Sequence, residues 1–153
     1  MQFLLPEYDS LAEWETILPK VVAHNAQYGK QLGLFAAIEK RCEEFIGTFI
    51  LRPDRRALDD TKNLEIGYRL KQHWWGKGLG TEGSLALVGR ALAQFGARRI
   101  YATAMPGNRA SIRIMGKVGL GFEKAYTETD HCGRVIEVVM YSQENLSDPQ
   151  ART

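Results

Sequence analysis

Trp74-Trp75-Gly76-Lys77-Gly78-Leu79-Gly80-Thr81-Glu82 is the stretch on which the reading of this chain turns. Before it, Leu64, Ile66, Tyr68 and Leu70 alternate with Glu65, Gly67 and Arg69 in the period of a half-buried strand. After it, Leu85, Leu87, Val88, Ala91, Leu92 and Phe95 recur at helical spacing, which predicts a helix from Gly80 to Phe95. Glycines at such a strand-to-helix junction let the backbone take positive φ and approach a ligand closely. The unpaired N–H groups of the helix start, at the positive end of its dipole, favour a phosphate. The junction is therefore predicted to be a diphosphate cradle.

Three other readings compete for the same glycines. A P-loop requires Gly-Lys-Ser/Thr after four intervening residues, whereas Lys77 lies between glycines and Thr81 follows one, so the spacing fails. Gly78-Leu79-Gly80-Thr81-Glu82-Gly83 matches the dinucleotide pattern G-x-G-x-x-G. That pattern, however, needs a turn directly after the strand and an acidic residue at the end of the next strand. Here Lys71 to Trp75 intervene, and the next strand ends Ala102-Thr103-Ala104-Met105. A glycine-rich connection with no ligand is the third.

Downstream, Gly96 ends the helix and Arg99 to Ala104 reads as a strand. Asn108 is a good N-cap for a helix from Arg109 to about Val118, in which Ile112, Met115 and Val118 share a face. Phe122 to Thr127 and Val135 to Ser142 read as a hairpin around Asp130-His131-Cys132-Gly133, and residues 143–153 as a polar tail. Upstream, Ser10-Leu11-Ala12-Glu13 has the form of a capping box for a helix over about residues 10–28. Pro19 predicts a kink there, or two shorter helices. Leu34 to Glu39 and Phe45 to Leu51 read as a first hairpin, closed by Arg52-Pro53 and followed by a loop over 54–62. The sum is one mixed α+β domain over residues 1–142.

The 153 residues are 44% hydrophobic and 25% charged, which suits one folded domain and excludes disordered and fibrous classes. The net charge of +2 is spread without blocks of like charge, arguing against a nucleic-acid or membrane-surface partner. Cys42 and Cys132 have neither metal-ligand spacing nor a disulfide pattern, and His24, His73 and His131 are scattered, so they read as solvated or locally hydrogen-bonded. No metal is implied. With no apolar run of membrane-spanning length and no leader-like start, the expected location is the cytoplasm.

Four motifs in order resemble one family. Glu65-Ile66-Gly67-Tyr68, Trp75-Gly76-Lys77-Gly78-Leu79-Gly80-Thr81-Glu82, Asn108-Arg109-Ala110-Ser111 and Lys117-Val118-Gly119 are similar to the GNAT N-acetyltransferases, in the branch of the ribosomal-protein N-terminal acetyltransferases. The resemblance is strong over residues 64–122 and extends from Leu34 onward. It implies a central mixed, mostly antiparallel sheet flanked by helices. The family's first strand and helix would precede a stretch like Met1-Gln2-Phe3-Leu4, so the chain is expected to be truncated or to lack that edge strand. A bare sheet edge is also a route to a homodimer.

The resemblance further implies acetyl-coenzyme A as co-substrate and an amine acceptor, either a protein N-terminus or a small molecule. Backbone amides from Gly76, Lys77, Gly78, Leu79, Gly80 and Thr81 would hold the pyrophosphate, and the strand at Tyr68, Arg69 and Leu70 would pair with the pantetheine arm. Lys77 either adds a charge contact or is merely solvated. Asn108 caps its helix and, in the family, also touches the pantetheine arm. Trp74 and Trp75 are expected to anchor the loop. Glu65 is the candidate general base or else a structural carboxylate. Many relatives place a tyrosine seven residues after the asparagine to protonate the departing thiolate, but that position is Met115. Ser111 is the candidate proton donor, or an ordinary serine of a helix N-terminus. A competing class is an acyl-CoA-binding module of the same fold without turnover, for which Met115 and the short N-terminus are the arguments.

Overall fold

A computed structural model describes residues 11–29, 31–130 and 132–145. Six strands form one sheet: β1 (Gly33–Ile38), β2 (Phe45–Pro53), β3 (Asn63–Leu70), β4 (Arg99–Ala104), β5 (Gly121–Thr129) and β6 (Val135–Glu144). Their order is β1-β2-β3-β4-β6-β5, and the β3–β4 pair is parallel while its neighbours are antiparallel. This is the mixed, mostly antiparallel sheet that the resemblance implies. β2 runs on through Arg52 and Pro53, and β6 through Gln143 and Glu144.

Directly paired residues share a face of a sheet, so the register divides the strands into two faces. On one lie Phe35, Phe49 and Tyr68, with Leu51 and Ile66. The helix α2 (Leu79–Phe95) and the helix α3 (Arg109–Lys117) cover this face. Leu51, Leu64, Ile66, Leu70, Ile100 and Ala102 are buried there against Leu87, Val88 and Ala91 of α2 and Met115 of α3. The close approach has a sequence cause: a Cβ on Gly83 would stand 2.2 Å from the Phe49 ring. Gly96, at φ 54, caps α2 in the left-handed region, the predicted stop.

On the other face lie Leu34 with Ile50 and Gly67, Thr48 with Arg69, and Arg52 with Glu65. The helix α1 (Leu11–Gln27) is tied to β1 by Asn25, whose Nδ2 donates to Leu34 O at 2.7 Å and whose Oδ1 accepts from Leu34 N at 3.0 Å. Pro19 lies inside this single helix rather than dividing it in two. The carbonyl it strips of a partner is that of Glu15, and Glu15 is exposed, so water can take the missing bond. The expectations about a capping box at Ser10, a truncated start at Met1–Glu7, His131 and the tail beyond 145 lie outside the described residues.

Candidate active site

The site begins where two parallel strands part. The β3–β4 ladder holds at Asn63–Arg99, Leu64–Ile100 and Glu65–Tyr101 and goes no further, although β3 continues to Leu70 and β4 to Ala104. The β4-facing edge of β3 beyond Glu65 therefore has no strand partner among the described residues. A cleft of about 660 Å³ opens in the gap. Tyr68 and Arg69 line one side, Thr103, Ala104 and Met105 the other, and Asn108 and Ser111 of α3 one end. On the α1 face it continues past Thr48, Ile50 and Arg52 to Lys20, Val21, His24 and Asn25. The cleft thus joins the two faces of the sheet.

The glycine turn lies beside this cleft. After β3 a short 3-10 turn (Gln72–Trp74) leads to Gly76 and Gly78, with φ of 73 and 78. Both are in the left-handed region that glycine enters without strain, and a Cβ at either would meet nothing within 4 Å. Gly78 is the N-cap of α2 and offers no side chain to its first N–H groups, which also have no acceptor within a helix. Trp75 Nε1 donates to Leu70 O at 2.8 Å and Trp74 Nε1 to Glu44 Oε1 at 3.3 Å, which holds the turn against β3 and the first hairpin loop. Lys77 Nζ lies 4.3 Å above the Trp74 ring. A Cβ on Gly80 would stand 3.3 Å from the Tyr68 ring, so the helix start is packed directly on a side chain of the cleft wall.

Within the cleft, the Tyr68 hydroxyl is 3.3 Å from Ser111 Oγ, and the Ser111 N–H donates to Asn108 Oδ1 at 3.2 Å. Asn108 is the N-cap its position predicts, an arrangement worth about 1 kcal/mol. Burial raises the Tyr68 phenol above its ordinary value, and its bond to Ser111 only partly offsets this. It is therefore neutral at ordinary pH. Met115 is turned into the core, with 6% of its surface exposed.

On the α1 face, Arg52 Nε and Glu65 Oε2 form an ion pair at 2.8 Å, with about a fifth of each side chain exposed. Beside it Tyr101 donates to Asp54 Oδ2 at 3.1 Å. Burial, and then the charges of Glu65 and Asp54, push the Tyr101 phenol well above its usual range. The Asp54 carboxyl is held below its ordinary value, chiefly by the Arg56 backbone N–H.

Of the residues singled out from sequence, Tyr68, Arg69, Asn108 and Ser111 come together in the cleft wall. Gly76 to Thr81 lie outside that wall and are joined to it through Gly80 and Tyr68. Glu65 is likewise set back, while its partner Arg52 lines the cleft. Sequence reasoning missed Arg52 and His24. Arg52 pairs with Glu65 across the register of β2 and β3, which sequence spacing does not reveal. His24 had a signal: it falls three residues after Val21 and four before Tyr28, on the same helical stripe. Its Nε2 is shielded from solvent and has no hydrogen-bond partner among the described residues. Cys42 and Cys132 are exposed and free of disulfides.

Comparison with known proteins agrees with this fold. Residues 1–121 match the profile of the family described as "Acetyltransferase (GNAT) domain". The chain is 33% identical over 119 residues to an uncharacterized N-acetyltransferase, p20, of Bacillus licheniformis, covering 73% of this chain and 62% of that one. It is 34% identical over 98 residues to the uncharacterized protein YkkB of Bacillus subtilis (strain 168), covering 63% and 55%. The chain thus spans somewhat more than half the length of these relatives. Among solved structures, the ribosomal-protein-S5-alanine acetyltransferase of Vibrio fischeri superposes with a TM-score of 0.73 at 18% identity, covering 94% of this chain and 77% of that one. The ribosomal-protein-alanine N-acetyltransferase of Brucella melitensis does so with 0.73 at 16% identity, covering 93% and 85%. At these identities the likeness is one of fold.

Proposed function

The chain belongs to the GNAT acetyltransferase family, and from that premise we propose that it moves the acetyl group of acetyl-coenzyme A directly onto a primary amine. The acceptor is a protein N-terminus or a small molecule. The observation that carries the reading is the parting of β3 and β4 beside an α2 N-terminus capped by glycine alone. An extended arm can lie along the partnerless edge of β3, and a diphosphate can meet the amides of Gly76 to Thr81. The residues fit the coenzyme: Gly76 and Gly78 leave open space where any other residue would place a Cβ.

Direct transfer needs a neutral amine, a polarised thioester carbonyl and a proton for the departing sulfur. The coenzyme enters from the α2 and α3 face and the amine from the α1 face, and they meet in the gap. Glu65 takes the proton of the amine, directly or through water, and Arg52 holds its carboxylate in place. Ser111 Oγ gives its proton to the sulfur and takes the proton of the Tyr68 hydroxyl in the same step, and solvent in the open cleft returns that proton to Tyr68. The Tyr68 hydroxyl behind Ser111 is the residue that replaces what Met115 does not provide. Asn108 fixes the start of α3 and so the position of Ser111. Lys77, seated over Trp74, stabilises the turn; a charge contact to the phosphates would require it to leave that ring.

A second reading, an acyl-CoA-binding module without turnover, is favoured by the burial of Met115. A thiol-release assay over a panel of amines, run alongside calorimetry with acetyl-CoA, separates the two. Release of thiol matched by acetylated amine supports transfer; saturable coenzyme binding with no release from any amine supports the module.

A further inference from the structure

The cleft gathers charge of one sign. Over the whole chain, 20 Lys and Arg face 18 Asp and Glu. Among the described residues, the cleft wall by contrast carries Lys20, Arg52, Arg55 and Arg69 against the carboxylate of Glu128. Arg52 is balanced by Glu65 behind it, and with Arg69 left out of the sum the described wall still sets Lys20 and Arg55 against Glu128. These side chains come from α1, β2, the loop after it and β3, so no one element's composition explains the clustering. The charges lie on the α1 face or its rim, across the sheet from the α2 N-terminus where the phosphates of the coenzyme are placed. The same wall holds His24, whose shielded Nε2 has no hydrogen-bond partner among the described residues.

Building on the acetyl-transfer reading, we infer that the acceptor is a primary amine that carries an oxyanion, with Lys20 and Arg55 holding that anion. A cationic wall attracts such a molecule and repels a polyamine. It also disfavours the ammonium form of a bound amine, which raises the fraction present as the nucleophilic free base. Glu128, at the Ile136 and Val138 side of the cleft, is left to orient the amine end. An oxyanion of this kind can belong to a free amino acid or to an acidic residue next to a peptide N-terminus, and the two are distinguished by experiment.

The test compares matched acceptors: phenylalanine with phenethylamine, aspartate with its diamide, and short peptides whose second residue is aspartate or lysine, with spermidine as the cationic extreme. Thiol release should favour the acceptor with the added carboxylate in each pair by about tenfold in kcat/KM, and the preference should shrink as salt rises. Lys20→Ala and Arg55→Ala should each raise KM for that acceptor about five- to tenfold, leaving kcat and the KM of acetyl-CoA unchanged. A preference for free amino acids over both peptides assigns a small molecule; the reverse assigns a protein terminus. Equal or better use of phenethylamine or spermidine overturns the inference. The same acceptors are also titrated calorimetrically into the chain saturated with coenzyme. If thiol release fails throughout but aspartate or the aspartate peptide binds and Arg55→Ala weakens it, the turnover reading falls and the anion site stands; if none of aspartate, phenylalanine and the aspartate peptide binds, the anion site falls.

Discussion

The Tyr68 hydroxyl lies 3.3 Å from Ser111 Oγ, joining β3 to the first turn of α3 across 43 residues of sequence. If the pair delivers a proton to the departing sulfur, Ser111→Ala lowers kcat about tenfold or more while the KM of acetyl-CoA holds. Tyr68→Phe keeps the ring against Phe49 and Gly80 and lowers kcat less. In the Ser111→Ala background it has no further effect, because Tyr68 acts through Ser111. Steady-state kinetics of the two single variants and the double variant check this; additive losses would give Tyr68 a separate role.

Glu65→Gln tests the base. A base that deprotonates the amine matters most where the amine is still charged, so kcat/KM should fall at least tenfold near neutral pH and recover as pH rises past the acceptor's own titration. A pH–rate profile reads this. A constant deficit at every pH, with a lowered unfolding midpoint, would mark Glu65 as only the partner of Arg52.

Two glycines of α2 should respond to alanine with opposite sign. At Gly83 the new Cβ would stand 2.2 Å from Phe49, so the strand or the helix must shift, at a cost of about 1–3 kcal/mol. At exposed Gly89 it meets nothing within 4 Å, and a helix-interior alanine stabilises by about 0.5–1 kcal/mol. Denaturant unfolding of both variants measures the contrast.

The Tyr101–Asp54 pair sets two pH dependences. The Tyr101 phenol is raised by burial, so its contribution is complete below its ordinary 10.0 and declines as pH climbs above it. Asp54 is lowered, so its contribution is present above its ordinary 3.8 and fades as pH falls below. Tyr101→Phe should flatten the alkaline limb of stability, and the cost of Asp54→Asn should shrink in acid. Unfolding midpoints across pH check both signs.

The elements and the glycine turn were legible in the sequence because their causes are local. Period-two and helical repeats mark β3 and α2, Gly96 stops α2, and Asn108 caps α3. What sequence could not supply was long-range. The β3–β4 ladder ends at Glu65 because of how two distant strands diverge, and no residue spacing announces that. Alternation put Tyr68 on the inward face, but only the seating of α3 brought its hydroxyl to Ser111. The Arg52–Glu65 pair needed the β2–β3 register. His24 was within reach, since Val21 and Tyr28 had already marked its stripe.

Acetyl transfer is tested most directly by a thiol-release assay with acetyl-CoA and carboxylate-bearing amines, with the acetylated product identified by mass. Thiol and acetylated amine should appear in equal amounts, at a rate that depends on both substrates and is cut by Ser111→Ala. Saturable binding of acetyl-CoA with no thiol released from any amine would contradict it.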